Sequence, residues 1–532
     1  MHQFGFFLLA FSLAAGMRVS AQTQFQPTTT LALETSNNTS AADSFALQSN
    51  GNIAAGNISK VPIRTLLYPG ATAKLYAHLV PWFGFGTHVD VGYSSGDALQ
   101  VQKQVSDMIS RGLDGVIIDW YGRGVAHREF VSEDLSTQAI MREAELHPGF
   151  TFAIMADSGA LKYCSGATNC DPTENLINDL NYAHRVYEDS PAYLRYNGRP
   201  VVLFFGQSHY HIDWTKVRAR VAGNPLLIFR NAGAFGHAEG DGGFAWETPA
   251  GAAGAALDHL SHYYATALHH SKAFSLGAGY KGFDDSIALW GGHRYVGQEC
   301  GQTWLQSLAE AGQYYSADQQ VAGIQLITWN DYEEGTEIET GIDNCVAVSA
   351  SAHGSVLSWN ISGDKTTLDH YTVFISQDGT HLMPLADLVP ESTSLDVTRF
   401  ALPAGEYTAF VKVVGKASMV NKMSEGQRIT ITAQSSQSVA TPRLQLTVTP
   451  DTGTGPLVVQ VTIQSEGQNL SGSSTVIDFG DGSITVGQPT ATHIYNLPGS
   501  YEVMATLTDS AGNSITRIAL VQVGTAEQFS HT

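Results

Sequence analysis

A cluster of carboxylates follows the apolar run that ends near Thr328, and its residue types suit acid–base chemistry. The acidic side chains of this segment are Asp331, Glu333, Glu334, Glu337 and Glu339. Such a density is unfavourable through mutual repulsion unless the charges serve a purpose. Hydrolysis of a glycosidic bond uses two converging carboxyl groups, one to protonate the leaving oxygen and one to activate water or attack the anomeric carbon. The cluster therefore predicts a hydrolytic acid–base pair, with a solvated acidic loop as the alternative.

The local backbone decides whether two of these carboxylates can act together. If the strand continued past Asn330, Asp331 and Glu334 would point to opposite faces. If the chain turns helically after Asn330, the pair at i and i+3 lies on one side, with Cβ atoms about 5–6 Å apart. The neighbouring Gly335 favours the turn.

The segment 61–345 has the pattern of strands alternating with helices, which predicts a parallel sheet covered by helices. Between the first two strands, Val101, Val105 and Met108 recur at helical spacing, which completes one βαβ unit. Eight strands over this length predict a (β/α)8 TIM-type barrel, whose active site lies at the carboxyl ends of the strands. The candidate strands are 75–83, 115–121, 150–157, 200–206, 226–231, 242–247, 274–279 and 323–330.

Polar and aromatic residues recur at the predicted strand ends. Aromatic faces can stack on sugar rings and carboxylates can bind hydroxyl groups, so these residues are candidates for substrate binding. The alternative is that several of them cap helices or pack in the core. The candidates are His78, Trp82, Asp119, Tyr121, Asp157, Trp246, Tyr280 and Asn330.

The acidic segment carries a family resemblance. Residues 328–334 resemble the Trp-Asn-Asp-Tyr-Gly-Glu motif of glycoside hydrolase family 71, the α-1,3-glucanases, with Glu333 in place of Gly. They are also similar to the Asn-Glu-Trp-His-Glu-Gly-Thr motif of family 99, the endo-α-mannosidases and endomannanases, with Asp331 and Tyr332 replacing Glu and Trp. Segments 76–83, 112–121 and 280–285 extend the resemblance over the predicted barrel.

The resemblance implies roles for the pair. Glu334 would be the general acid and Asp331 the base, acting on water as in family 71 or on the substrate's 2-hydroxyl as in family 99. Because Asp331 is one methylene shorter than the family 99 residue, inverting hydrolysis by water is favoured. The implied substrate is an α-linked polysaccharide or oligosaccharide, α-1,3-glucan or α-mannan-like, without cofactor or metal. Glu333 is the residue expected to disturb the turn.

The chain after Cys345 changes to short alternating strands, which predict two all-β immunoglobulin-like sandwich domains. Residues 346–434, with Trp359 and a corner at Tyr407, resemble a fibronectin type III module. Residues 442–525 resemble a PKD (polycystic kidney disease) domain through Ile-Asp-Phe-Gly-Asp-Gly at 477–482, although Ile477 stands where that family shows Trp. Such modules act as spacers or attach exported enzymes to cell surfaces or matrix.

The composition bears on location and partners. A formal net charge of −21 disfavours nucleic acid and anionic membranes as partners, because both bind clustered Lys and Arg. Residues 1–21 have an apolar run and a small-residue end typical of a signal peptide, without a lipoprotein cysteine, which predicts secretion without membrane insertion. Residues 22–60 are polar and predict a flexible linker.

Four cysteines in an exported chain favour disulfides. Cys164 and Cys170 are close enough to close a small loop, which leaves Cys300 and Cys345 as a second pair, with the other pairings open.

Two other functions compete with hydrolysis of a glycan by carboxylates. The alternating His209, His211 and Asp213 could hold a metal, as in a metal-dependent carbohydrate esterase. A barrel that binds glycans without cleaving them, displayed as an adhesin, is the other.

Overall fold

A computed structural model describes residues 58–123, 127–164, 170–249, 257–379, 381–432, 443–466, 474–508 and 514–524. The predicted signal peptide and residues 22–57 of the predicted linker lie outside these ranges. Within the described part of the chain, no helix is both long and apolar enough to cross a membrane.

The first part of the chain is a closed barrel of eight parallel strands, as predicted. In spatial order the strands run β3-β2-β1-β8-β7-β6-β5-β4, and β3 pairs with β4 to close the barrel. The strands are β1 (Lys74–Leu79), β2 (Gly115–Trp120), β3 (Thr151–Asp157), β4 (Arg199–Phe205), β5 (Leu226–Arg230), β6 (Gly242–Phe244), β7 (Phe274–Tyr280) and β8 (Gly323–Ile327). Their side chains are mostly buried, because helices cover the outer face of the barrel and side chains fill its interior.

Helices connect most of these strands. They are α1 (Ala98–Ser110), α2 (Arg128–Glu145), α3 (Pro172–Ala183), α4 (Trp214–Arg220), α5 (Asp258–His269) and α6 (Gln302–Ala309). The helix α1 begins at Asp97, whose side chain accepts hydrogen bonds from the amides of Leu99 and Gln100. Its apolar face buries Val101, as the helical spacing predicts.

The connections also depart from the ideal alternation of strand and helix. A short 3-10 turn, Ala232–Gly236, joins β5 to β6 in place of an α-helix. The strand β6 ends at Phe244, earlier than predicted, so Trp246 and the following Glu247 lie beyond the strand. Short strands also occur at Arg195–Tyr196 and in a hairpin of Phe283–Asp284 with Tyr295–Val296.

The second part is a β-sandwich with its own core. One sheet has three strands, and the other has five. Trp359 packs edge-on against Tyr371, with ring centroids 5.5 Å apart, and the Tyr407 hydroxyl donates to the carbonyl of Pro403 at 2.8 Å. The strands are Ala347–His353, Val356–Ser362, Leu368–Ser376, Met383–Leu388, Ser394–Asp396, Gly405–Gly415, Lys422–Met423 and Gln427–Ile431.

The third part is a further sandwich, again of a three-stranded and a five-stranded sheet. Buried Ile477 occupies the core position where the PKD pattern has Trp, beside Phe479. The Tyr501 hydroxyl donates to the carbonyl of Leu497 at 2.9 Å, a tyrosine corner like that of Tyr407. The strands are Arg443–Thr449, Thr452–Thr454, Leu457–Glu466, Ser474–Asp478, Ile484–Val486, Thr490–Tyr495, Gly499–Thr508 and Ser514–Gly524.

The barrel and the first sandwich share a buried seam. Met419, from a loop of the sandwich, is fully buried in the core cluster of the barrel. The Trp304 indole N–H donates to the carbonyl of Ala417 at 3.0 Å, and the predicted Cys300–Cys345 disulfide closes the same region. Cys170 is also disulfide-bonded, while the side chain of its predicted partner Cys164 lies outside the described residues.

The same seam corrects one boundary. Residues 58–60 were expected to belong to a flexible linker, but Ile58 is fully buried and pairs with Val420. The amide of Ser59 donates to the carbonyl of Met419 at 2.8 Å. The buried Ile58 side chain and the backbone pairing hold these residues in place. The polar composition of the preceding segment had suggested that they belong to the linker.

Candidate active site

The acidic segment turns immediately after Asn330. The Asp331 Oδ1 atom accepts the amide N–H groups of Glu333 at 3.0 Å and of Glu334 at 2.9 Å. The Thr336 amide donates to the carbonyl of Asp331 at 3.1 Å, and Gly335 adopts a φ of 61°, which glycine tolerates best. The turn therefore places Asp331 and Glu334 beside each other, where an extended strand would have separated them.

Four carboxyl groups lie at the carboxyl ends of three barrel strands. Asp119 lies in β2 and Asp157 ends β3, while Asp331 and Glu334 follow β8. Burial raises the pKa of Asp119 well above its usual range, and the charges of the other three carboxylates raise it further. The four groups therefore lie at the same end of the barrel and interact electrostatically.

The pair on the turn is suited to proton transfer. Burial and the Glu334 charge raise the pKa of Asp331 well above its usual range, while the two amide N–H groups oppose the rise. Burial also raises the pKa of Glu334, opposed by a hydrogen bond from Trp290 and the charge of Arg294. Both shifts favour the protonated form relative to an exposed carboxyl group, which is a condition for proton transfer by the pair.

Asp157 has a different environment. Burial raises its pKa to about 6, although the Gly159 amide, the Arg230 charge and a hydrogen bond from Tyr121 favour its charged form. Behind it, burial raises the pKa of Glu133 in α2 to about 8. The site is thus backed by carboxyl groups that protonate much more readily than exposed ones.

Aromatic side chains form one wall of the site. The indole of Trp82 stacks on His88, with ring centroids 4.9 Å apart and planes 14° apart. Tyr121 and Trp290 each meet Trp82 edge-on, at 6.2 Å and 6.1 Å. Two of the predicted aromatic residues, Trp82 and Tyr121, therefore lie together, and Trp290 joins them.

Two other predicted binding residues, His78 and Trp246, also lie side by side. Their rings meet edge-on at 4.8 Å, and Gln325 Nε2 lies 3.1 Å from His78 Nδ1. Burial lowers the pKa of His78 to about 3, so its imidazole is neutral. Trp246 also contacts Phe205 at 4.9 Å, which links this pair to the end of β4.

Two of the predicted binding residues have other surroundings. The Asn330 amide donates to the carbonyl of Val80 at 3.0 Å and accepts its N–H at 2.9 Å, so it joins the ends of β8 and β1. The substrate contact expected of Asn330 stays a prediction, and its amide holds the two strand ends together. Tyr280 is 1% exposed and stacks on His259 at 6.0 Å, inside the barrel core.

Glu333 was expected to disturb the turn, and it instead fastens a neighbouring loop. Its Oε2 lies 2.7 Å from His88 Nδ1, and its Oε1 accepts the Val89 amide at 3.1 Å. The other nitrogen of His88 lies 2.9 Å from Glu129 in α2. Glu333 points away from the pair and stabilises the histidine on which Trp82 stacks.

The buried side chain of Arg111 supports the segment that contains the turn. The Arg111 guanidinium donates to the carbonyls of Ile338 at 2.7 Å and Glu339 at 2.8 Å, and lies 4.8 Å from the Trp329 ring centroid. The hydroxyl of Tyr332 donates to the Glu339 carboxylate at 2.8 Å. These contacts fix both ends of the segment that carries the pair.

Three residues of the site escaped the sequence-based prediction. Glu247 is buried beyond β6, and burial together with the Glu334 charge raises its pKa well above its usual range. Arg230 ends β5 with its guanidinium 4.5 Å from the Phe205 ring centroid, in electrostatic reach of Glu247. Trp290 lies on the hairpin loop after β7. Only Glu247 had a local signal, as the neighbour of Trp246 at a strand end.

The segment considered for a metal has a structural use. The Asp213 side chain accepts the Lys216 amide at 2.9 Å and begins helix α4. His209 lies in the 3-10 turn Gln207–His209. Among the described residues, no three His, Cys, Asp or Glu side chains are grouped so as to hold a metal ion.

Comparison with known proteins identifies one module. A family model described as PKD domain matches residues 443–521, which confirms that prediction. The PKD1 domain of the Vibrio cholerae metalloprotease PrtV is 28% identical over 16% of this chain and 95% of its own, with a TM-score of 0.13. No curated protein matches the chain.

Two further solved structures are similar to portions of the chain. The GH99 endo-alpha-mannosidase from Bacteroides thetaiotaomicron is 16% identical over 51% of this chain and 88% of its own, with a TM-score of 0.37. The fibronectin(III)-like modules of Clostridium thermocellum CbhA are 12% identical over 35% of this chain and 98% of theirs, with a TM-score of 0.14. The family 71 and fibronectin resemblances remain predictions.

Proposed function

We propose that the protein is a glycoside hydrolase that cleaves an α-linked polysaccharide, with Glu334 as general acid and Asp331 as general base. The observation that carries this proposal is the turn that places both carboxyl groups together at the carboxyl end of the barrel. A structural role alone would not require two further buried carboxylates, Asp119 and Asp157, at the same place.

The proposed reaction is an inverting displacement. Asp331 accepts a proton from water as the water oxygen attacks the anomeric carbon, and Glu334 donates its proton to the departing glycosidic oxygen. Two amide N–H groups favour the charged form of Asp331 that a base requires, against burial and the Glu334 charge, which raise its pKa overall. Direct participation of a substrate 2-hydroxyl in place of water is the alternative route.

The remaining groups would bind the sugar. Asp119 and Asp157 would accept hydrogen bonds from hydroxyl groups, while Trp82 and Tyr121 would pack against sugar rings. An α-1,3-glucan or an α-mannan is the first substrate to test. We also propose that the chain is exported by residues 1–21 and that its sandwich domains hold the barrel near its polymer.

A glycan panel tests the proposal. Release of reducing ends from α-glucans and α-mannans is measured for the native protein and for Glu334→Gln, with Asp318→Asn as the matched control. Asp318 is exposed and precedes β8 at the opposite end of that strand. We expect one α-glycan to be cleaved, with activity lost only in Glu334→Gln. Binding of a glycan without cleavage would contradict the hydrolase and favour an adhesin.

A further inference from the structure

The hairpin loop between β7 and α6 lies beside the acid–base pair and is organised around a buried carboxylate. Asp285 is fully buried, and its carboxylate accepts the amides of Gly292 at 3.0 Å and Arg294 at 2.6 Å, and the Arg294 Nε–H at 2.7 Å. A Cβ atom on Gly291 would lie 1.8 Å from the Asp285 carbonyl oxygen, so only glycine fits this close approach. The buried Asp285 therefore ties the two sides of the loop together.

The loop is hydrogen-bonded directly to the turn that carries Asp331 and Glu334. The Asp284 amide donates to the carbonyl of Glu334 at 2.8 Å. At the loop tip, the Trp290 indole N–H donates to Glu334 Oε1 at 3.3 Å, and Arg294 Nη2 lies 3.9 Å from the same oxygen. The carboxyl group of Glu334 is thus oriented from this side.

Trp290 remains available for contact. Although it meets Trp82 and lies 5.8 Å from His88, 48% of its surface is exposed. Glu334 holds the N–H end of the indole, and the rest of the ring is exposed. Such a ring is suited to pack on the C–H face of a sugar. Its neighbour Leu289 is 85% exposed, which supplies a nearby apolar side chain without a contact to the pair.

The contact of Trp290 with Glu334 indicates which sugar of the substrate the indole would contact. A general acid donates its proton to the leaving oxygen. The indole ring that is hydrogen-bonded to Glu334 therefore lies next to the leaving group. We infer that Trp290 is the stacking surface for the sugar on the leaving-group side of the bond and that its indole N–H positions the Glu334 carboxyl group. This inference rests on the proposed hydrolysis and adds a binding site for the second sugar.

Two substrates distinguish the stacking by the Trp290 ring from the positioning of Glu334 by its N–H group. A polysaccharide has a sugar on the leaving-group side, whereas a glycosyl fluoride of the same sugar has only fluoride there. For Trp290→Ala we expect kcat/KM on the polysaccharide to fall at least about tenfold, mostly through KM, with little change on the fluoride. Leu289→Ala is the matched control and should match the native protein on both substrates.

A conservative variant tests the N–H contact. Trp290→Phe keeps a stacking face and removes the donor, so KM on the polysaccharide should stay near the native value. Because that hydrogen bond favours charged Glu334, its loss should move the alkaline limb of kcat to higher pH. The other charged groups that interact with Glu334 are unchanged in this variant, namely Asp119, Asp157, Glu247, Asp285, Arg294, Asp331 and Glu333.

The outcomes are distinguishable. An equal loss on both substrates, or no loss on the polysaccharide, would overturn the stacking role, with circular dichroism and the unfolding temperature checking the fold. Glycan binding by Glu334→Gln is also compared with that by the double variant Glu334→Gln, Trp290→Ala. Weaker binding by the double variant supports the stacking surface even if the native protein cleaves nothing, in which case only the hydrolase fails.

Discussion

Asp331 accepts the backbone N–H of Glu334 at 2.9 Å, so one carboxylate fixes the direction in which the other leaves the turn. The same oxygen accepts the N–H of Glu333, whose side chain departs towards His88. The backbone thus directs Asp331 and Glu334 to the site and the side chain of Glu333 to a neighbouring loop. Substitutions at these residues can therefore test the proposed chemistry and the supporting contacts separately.

Replacing Asp157 should increase stability while weakening substrate binding. Folding raises the pKa of Asp157 to about 6, so the folded state favours its protonated form. That contribution is present below the unfolded pKa near 4 and is lost as pH rises towards 6. Asp157→Asn should therefore raise the free energy of unfolding by about 2–3 kcal/mol at pH 7.

The check is denaturant unfolding of both proteins at two pH values. At pH 4 the difference between Asp157→Asn and the native protein should largely vanish. A variant that is less stable than the native protein at pH 7 would show that the charged carboxylate is stabilising.

Replacing Glu333 should loosen the aromatic wall. Glu333→Gly removes the contacts with His88 and the Val89 amide and should cost about 1–3 kcal/mol of unfolding free energy. Since His88 stacks on Trp82, KM should rise more than kcat falls. Glu333→Gln is the control because it keeps an acceptor for Val89. Unchanged stability and KM in Glu333→Gly would contradict the anchoring role.

The first sandwich should be required for a stable barrel, and the PKD domain should not. Because Met419 lies in the barrel core, a chain ending at residue 345 should lose the cooperative thermal transition of the barrel. A chain ending at residue 432 should keep it. Met419→Ala in the full chain should cost about 2–5 kcal/mol. Equal unfolding temperatures for the two truncated chains would contradict a shared core.

Local patterns in the sequence predicted the barrel strands and the turn better than they predicted the site. Apolar runs such as that of β8 report burial directly, and Gly335 marks a turn wherever it lies. The contact of Glu333 with His88 joins residues far apart in sequence, and Trp290 reaches Glu334 only because the hairpin folds over the barrel end. No local periodicity encodes such contacts, and Asn330 shows the converse, a strand-end polar group used for backbone pairing.

The assignment of Glu334 as acid and Asp331 as base is tested by comparing kcat/KM on a cleaved polysaccharide and on the matching glycosyl fluoride. Fluoride departs without protonation, so Glu334→Gln should lose at least about a hundredfold on the polysaccharide and far less on the fluoride. Asp331→Asn should lose about a hundredfold or more on both, because attack by water is needed in each case. Equal losses for Glu334→Gln on the two substrates, or native activity in Asp331→Asn, would contradict the assignment of acid and base.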